Sequence, residues 1–204
     1  ARYQRLVFQE VSGRLRVGDG RIEVLRVSGD TKEGTLGGAC AWDFGNPSQG
    51  RFSGEFRIDG LPVHQVLSLF REDEILTGRL SVSGRLESRL EPAGSFWRRL
   101  SLLEPLTLRL EKGNVVHGSV LPRVLKILNV PALLKGKVDL DAEGLPFDEV
   151  SATVSMQEGV LASNDLVFKS PVVKVSGAGT YDAVADRLDL ALAVSPLGAY
   201  SDLI

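Results

Sequence analysis

The residues that could support catalysis or metal binding are few and widely spaced in this chain. The two histidines, His64 and His117, stand in or next to predicted helices, and neither belongs to an H-E-x-x-H pattern. Asp139 and Asp141 form a D-x-D pair, and on a strand both would point to the same face as Lys137. These patterns predict a solvent-facing strand and ordinary helix residues rather than a catalytic or metal site.

The other candidates for chemistry are equally isolated. The run from Ser176 to Gly179 has the composition of a phosphate-binding loop, but it lies inside a strand pattern and no helix follows it. The single cysteine, Cys40, shares an alternating apolar register with Trp42, which predicts a small buried hydrophobic residue. The sequence therefore predicts a protein that is not an enzyme, with no catalytic residues, no metal site and no cofactor.

Composition narrows the class of partner. The 204 residues carry a net charge of −2, with 25% charged residues of both signs and 6% aromatic residues. A nucleic-acid partner is not expected, because it would require a basic surface and aromatic side chains for base stacking. No apolar run approaches the roughly 18–20 residues that span a bilayer. Because the chain also lacks a starting methionine, we expect it to be a fragment of a longer protein.

The elements that position these residues are mainly strands. From Glu158 to Pro196 apolar and polar residues alternate, as they do in strands with one buried face. Turn-forming residues predict breaks at Ser163-Asn164-Asp165, at Ser170-Pro171 and between Asp182 and Asp186. The segment is therefore predicted to be an antiparallel meander that is apolar on one face and charged on the other.

The first hundred residues repeat this pattern in shorter runs, with turn residues about every 8–12 positions. A one-residue slip between Val24 and Leu25 predicts a β-bulge. Helical spacing predicts short helices over 63–70 and over 96–103. Further along, Gly144-Leu145-Pro146 predicts another turn.

A helix–strand unit occurs twice in the sequence. Gly60 and Gly78 in the first unit are matched by Gly118 and Gly136 at the same spacing, with apolar residues in register between the two copies. Both copies predict an amphipathic helix, a loop and a strand. Repetition of such a unit favours an elongated, stacked structure.

The predicted fold is mainly β with a few short helices (α+β). We expect an elongated, curved antiparallel sheet that forms a groove, with amphipathic helices packed at or over the sheet. Residues 1–104 would hold a β-rich segment with the first helix–strand unit, and residues 105–204 the C-terminal meander with the second; one continuous domain is the alternative. Three short helices are few for ten or more strands, so part of the apolar face is expected to stay uncovered.

Several elements near the C-terminus share a recognisable pattern. They are Glu158-Gly159-Val160, Asp165 to Pro171, Val175 to Asp182, and Leu188-Asp189-Leu190. This pattern resembles the C-terminal region of AsmA-like proteins, a family of envelope proteins that includes the TamB and YhdP types. The helix–strand units at 60–82 and 118–140 are also similar to units of that family, so the resemblance covers residues 50–204 and is best over 147–196.

This resemblance implies a location and a role. AsmA-like proteins are anchored in the inner membrane of Gram-negative-type bacteria and extend a β-rich groove through the periplasm. They are associated with moving phospholipid between the two membranes and with outer-membrane assembly. The expected partners are therefore phospholipid or other lipid acyl chains, and envelope proteins at the sheet edges. The membrane anchor would belong to another part of the parent protein, and the family has no catalytic residues to carry over.

A one-sided sheet suits such a role, because acyl chains can lie on its apolar face while the headgroup stays in water. Burial of apolar area contributes about 25 cal/mol per Å². The predicted lipid contacts belong to the late meander: Val154, Leu166, Phe168, Val173, Val175, Leu188, Leu190 and Leu192.

Two other functions compete with lipid binding. A structural module that helps outer-membrane proteins assemble would have a filled core and would bind a protein partner at a sheet edge. A glycan-active enzyme would need a clustered carboxylate pair, which the sequence does not offer.

Overall fold

The computed structural model describes residues 8–45, 50–67, 76–90, 97–115, 144–171 and 173–197. These residues form a mainly β structure, in which eleven antiparallel strands build one open sheet that carries one short α-helix. The helix is α1 (Val63–Leu67), and a single 3-10 turn spans Trp97–Arg99. The strands are β1 (Glu10–Gly18), β2 (Arg21–Asp30), β3 (Thr35–Asp43), β4 (Gly50–Pro62), β5 (Arg79–Leu90), β6 (Leu100–Leu102), β7 (Leu106–Val115), β8 (Leu145–Gln157), β9 (Val160–Lys169), β10 (Val173–Asp182) and β11 (Arg187–Pro196).

The strand order follows the chain almost without exception. Each strand pairs with the next one along the sequence, except that β6 and β7 both pair with β5. The short β6 pairs with Leu86–Ser88, and β7 pairs with Arg79–Ser83. The pairing of β5 with β7 joins the two halves of the chain into one sheet.

The register of the strands separates an apolar face from a polar face. One row of directly paired residues crosses five strands and is apolar throughout: Leu36, Ile58, Val82, Leu108 and Ala152. The next row on the other side of the sheet is mostly polar: Gly37, Arg57, Ser83, Thr107 and Thr153. Because side chains alternate along each strand, the period of two in the sequence produces these two faces directly.

The core lies on the apolar face over β5 and β7–β10. Its buried residues are Val63, Leu80, Leu110, Leu145, Phe147, Phe168, Val173 and Val175. The rings of Phe147 and Phe168 pack with centroids 5.6 Å apart. This packing stabilises the middle of the sheet. It also holds α1 in place, because a five-residue helix has no stability of its own.

The glycines of the first helix–strand unit have a backbone role. Gly60 and Gly78 both adopt positive φ, at 65° and 124°, conformations that side-chain-bearing residues rarely adopt. They flank α1, and the carbonyl of Gly78 accepts a hydrogen bond from the N–H of Val63 at 2.9 Å. The second copy of the unit, with Gly118 and Gly136, lies outside the described residues.

The helix predicted over 96–103 is wrong for residues 97–102. One 3-10 turn is followed by β6, whose Leu100 is buried and pairs with Ser88 of β5. Pairing with β5 satisfies backbone groups that a helix of one or two turns would leave open at both ends.

The break predicted at Ser163-Asn164-Asp165 is also wrong, because β9 runs through it. The β8–β9 ladder shifts register there, between Ser151 and Ser155. The Asp165 carboxylate accepts the N–H of Thr153 at 2.7 Å, so a donor that the shifted ladder leaves unpaired is satisfied. These turn-forming residues therefore mark a bulge within one strand.

The turn predicted at Gly144-Leu145-Pro146 is wrong from Leu145 onward, where β8 begins. Pro146 is tolerated because it pairs only with Asn114 of β7, while pairing with β9 starts at Glu149.

Other local predictions are confirmed. The bulge near Leu25 is present, since Arg14 pairs with Arg26 and Leu15 with Val24, leaving Leu25 without a partner in β1. The hairpin turns at Ser170-Pro171 and between Asp182 and Asp186 are also present.

Candidate functional site

The eight residues predicted to contact lipid all lie on the apolar face. Their strands are aligned by pairings such as Val150 with Phe168, Phe168 with Val175, and Val175 with Val194. The sheet register thus brings together side chains that are up to about forty positions apart in the sequence.

Their exposure separates them into three groups. Phe168, Val173 and Val175 are buried in the core, with Val173 only 1% exposed, so they are closed to any ligand in this arrangement. Leu188 and Leu190 on the edge strand β11 are 48% and 40% exposed. The remaining three are half-buried: Val154, Leu166 and Leu192.

Two glycines of β10, Gly177 and Gly179, have no side chain, and this allows Leu192 and Leu190 of β11 to lie close to the sheet. A Cβ on Gly177 would be 2.5 Å from Cδ2 of Leu192, and a Cβ on Gly179 would be 2.6 Å from Cδ2 of Leu190. The glycine-rich run that resembled a phosphate loop therefore serves close packing on the apolar face, inside β10.

The apolar face also extends to the opposite edge of the sheet, which the prediction of lipid contacts missed. Val11, Leu15 and Val17 of β1 are 63–66% exposed, and Trp42 of β3 is 48% exposed. Trp42 stacks edge-to-face on Phe52, with ring centroids 6.5 Å apart. The alternation of Val11, Leu15 and Val17 with polar residues was the available signal.

A half-buried apolar strip crosses the sheet beside the core. We call it the side strip. It is defined by two directly paired rows and one pair on the apolar face: Val24, Cys40, Gly54, Leu86 and Leu102; Leu166, Gly177 and Leu192; and Leu106 with Val154. None of these residues is fully buried. Cys40 lies within this strip, half-buried rather than buried as predicted.

The polar face is exposed to solvent and carries charged side chains. Glu149 lies 3.3 Å from Nζ of Lys169 and 3.6 Å from Arg109. Hydrogen bonds from Lys169 and then Ser151, with smaller help from the two positive charges, hold the pKa of the Glu149 carboxyl below its usual value. The Glu149 carboxylate therefore stays ionised at neutral pH.

One depression on the polar face is lined by charged side chains and does not suit an acyl chain. It has a volume of about 760 Å³ and lies between β2 and β7. Its lining includes the charged groups Arg26, Glu55, Arg57, Arg85 and Glu104. An apolar ligand would have to desolvate these groups, whereas the other face offers apolar contacts directly.

The described residues offer little for catalysis or metal binding. They contain no group of three or more His, Cys, Asp or Glu side chains that could hold a metal ion. His64 lies half-buried in α1. His117, Asp139 and Asp141 lie outside the described residues. Within the same described part of the chain, no helix has the length and apolar character needed to cross a bilayer.

No protein-family model, no curated protein and no solved structure matches this chain.

Proposed function

We propose that this chain is a periplasmic segment of an inner-membrane-anchored AsmA-like protein. Its apolar sheet face would form a groove that binds phospholipid acyl chains and conducts them between the inner and outer membranes, in support of outer-membrane biogenesis. The observation that carries this proposal is the apolar face itself, which has apolar side chains from β1 to β11 and stays partly exposed at both edges.

The physical chemistry favours acyl chains as the ligand. Each CH₂ group that leaves water for an apolar surface contributes about 0.8 kcal/mol. The headgroup needs no pocket on this face, because it can remain in water beside the chains.

The side strip supports movement as well as binding. The core covers the apolar face over β5 and β7–β10, but the side strip passes beside it. The side strip consists of Val, Leu, Gly and Cys residues and carries no charge. A lipid moving along it exchanges one apolar contact for another, so the free-energy barrier between neighbouring positions is small. Passive sliding needs no catalytic group.

The test is native mass spectrometry of the purified chain without detergent, with lipid extraction and uptake from liposomes. We expect phospholipid to copurify at a defined stoichiometry. Leu190→Asp should lower lipid occupancy while the far-ultraviolet circular dichroism spectrum stays unchanged, because Leu190 is already 40% exposed on an edge strand. Ala193→Asp is the matched control, since Ala193 is exposed on the polar face of the same strand.

Two outcomes would overturn the lipid proposal. One is a wild-type chain that carries no lipid and takes none from liposomes. The other is equal lipid occupancy in Leu190→Asp and Ala193→Asp. If Leu190→Asp fails to fold, Leu188→Ser provides a milder change at the neighbouring position on the same face.

One observation favours the scaffold as a second candidate. All nine residues of β1 are exposed, and β1 pairs on one side only among the described strands. An edge of this kind can accept a further strand from an envelope protein through backbone hydrogen bonds. This function predicts a lipid-free chain, and additional protection of β1 amides from hydrogen exchange when the partner is bound.

A further inference from the structure

We propose that four arginines at one end of the polar face form a binding site for a phosphate group, carried either by inorganic phosphate or by a phosphate ester. This arginine cluster consists of Arg51, Arg89, Arg98 and Arg99. It lines a cavity of about 250 Å³ where β4, β5 and the 3-10 turn before β6 come together. The proposal stands independently of lipid binding by the apolar face.

The register places two of these arginines side by side. Arg51 of β4 and Arg89 of β5 are directly paired, so their Cα atoms are separated by about 4.5–5.5 Å. Both side chains are exposed on the polar face. Arg99, at the end of the 3-10 turn, lines the same cavity as Arg89. Like charges directly opposite each other destabilise a sheet, so this arrangement is costly without an anion.

Several other arginines of the polar face have a carboxylate within ion-pair distance. Arg109 lies 3.2 Å from Glu111, and Arg57 lies 3.6 Å from Asp59. Among the described residues, no ion pair involves Arg51 or Arg89. The Asp43 carboxylate stands opposite Arg51 on β3 but accepts the N–H of Gly45 at 3.2 Å instead.

The carboxylates near the cluster do not cancel its charge. Among the residues that the structure describes, Glu87 and Glu158 line the same cavity, so two carboxylates face four guanidinium groups there. Arg98 is shared with Asp182, whose pKa it helps to lower. Arg51 and Arg89 are therefore the groups that the proposal depends on.

The cluster has the donors that a phosphate group requires. A guanidinium presents parallel N–H groups in a planar fork, which fits two oxygens of a phosphate. Ser101 also lines the cavity, and its hydroxyl oxygen accepts the N–H of Glu158 at 3.3 Å, which leaves its O–H free to donate. A bound dianion would offset the repulsion between Arg51 and Arg89.

Isothermal titration calorimetry with sodium phosphate, at ionic strength held constant with chloride, tests the site. We expect saturable binding by the wild-type chain and about tenfold or greater weakening in Arg51→Gln/Arg89→Gln, equivalent to at least about 1.4 kcal/mol. Arg14→Gln/Arg26→Gln is the matched control, because these arginines form the same kind of directly paired couple on the polar face but lie outside the cavity. It should bind phosphate like the wild type.

Stability measurements separate a binding role from a structural one. In phosphate-free buffer Arg51→Gln/Arg89→Gln should have the same Tm as the wild type or a higher one, because the repulsion is removed. Arg51→Lys/Arg89→Lys keeps the charge but loses the fork, so it should bind phosphate more weakly than the wild type. A lower Tm for the glutamine variant, no saturable binding by the wild type, or equal binding by all variants would overturn the proposal.

Vesicle flotation distinguishes the two sources of the phosphate group. If Arg51→Gln/Arg89→Gln binds phosphatidylglycerol vesicles less than the wild type does, with phosphatidylcholine vesicles as the reference, the site takes a lipid headgroup. If flotation is equal but the calorimetric difference persists, the site takes free phosphate or a small phosphate ester. Neither result depends on Leu190, so failure of this site and failure of the apolar face can be told apart.

Discussion

Two aspartate side chains act as local caps where backbone N–H groups lack a partner in the ladder. Asp165 accepts the N–H of Thr153 at the β8–β9 bulge. Asp182 accepts the N–H groups of Val184 and Ala185, both at 2.9 Å, in the hairpin between β10 and β11. Side chains that cap backbone donors are favoured at such positions, because an unpaired donor costs stability.

This capping predicts a specific dependence of stability on pH. Hydrogen bonds from Ala185 and then Val184 hold the pKa of Asp182 below its ordinary value of 3.8. A group with a lowered pKa in the folded state stabilises the fold above its unfolded pKa and loses that contribution as pH falls through the folded pKa. The difference in free energy of unfolding between the wild type and Asp182→Asn should therefore be largest above about pH 5 and should shrink towards pH 3.

Urea denaturation at a series of pH values measures this difference. Asp189→Asn is the control, because the Asp189 carboxylate makes no hydrogen bond or ion pair among the described residues. Its effect on stability should be small at every pH. A difference for Asp182→Asn that stays constant from pH 6 to pH 3 would contradict the capping role.

At the residue scale the sequence predicted the side of the sheet on which a residue lies better than it predicted how deeply that residue is buried. Alternation placed Leu166, Val175 and Leu190 on one face because the pleat itself fixes that outcome. Their burial differs because it depends on what lies over each position: the core covers Val175, while the edge strand leaves Leu190 open. The same limit explains why Val17, which is exposed on the apolar face, was absent from the predicted lipid contacts. The arginine cluster was also out of reach, since it arises from the β4–β5 register.

At the scale of elements, long strands were predictable and short ones were not. Runs of nine or more residues show the period of two clearly, as in β4 and β11. The three residues of β6 are too few to show any period, and the apolar spacing of 96–103 fitted a helix equally well. Tertiary pairing with β5 decided the outcome, and a local pattern contains no information about that partner.

The placement of β6 gives a test with a neighbouring control. Leu100 is 8% exposed and packs on the sheet, whereas Leu103, just beyond the strand, is 51% exposed. Leu100→Ala should lower the free energy of unfolding by about 2–4 kcal/mol, because it removes buried methylene groups and leaves a cavity. Leu103→Ala makes the same chemical change at the surface and should cost less than about 0.5 kcal/mol.

Thermal or urea unfolding of both variants measures the comparison. Equal losses at the two positions would mean that residues 97–103 do not pack as β6 does here. A helix over this segment would place Leu100 and Leu103 on one face together, so it would predict similar effects for both.

At the scale of the whole molecule, the sheet is built from neighbours in sequence. Nearly every strand pairs with the strand before it and the strand after it, so each hairpin can form locally. The core, however, is built on β5, β7–β10 and α1, with Ile58 of β4 and Leu192 and Val194 of β11 packed against it. No residue of β1 belongs to the core or packs against it. Stability should therefore be distributed unevenly, as it is in stacked repeats whose units contact only their neighbours.

Hydrogen exchange followed by mass spectrometry tests this distribution. Opening β1 breaks only its ladder with β2, whereas opening β8, β9 or β10 also exposes Phe147, Phe168 and Val173. Amides of β1 should therefore exchange orders of magnitude faster than those of β8–β10. Leu15→Ser should accelerate exchange in β1 and β2 alone, while Leu110→Ala should accelerate it throughout the core strands. Uniform protection from β1 to β11, changed equally by both substitutions, would show instead that the sheet opens as one cooperative unit. An edge strand that opens independently of the core can also pair with a strand from another protein. Graded protection would therefore mean that one molecule could bind lipid on its apolar face and a protein partner at β1.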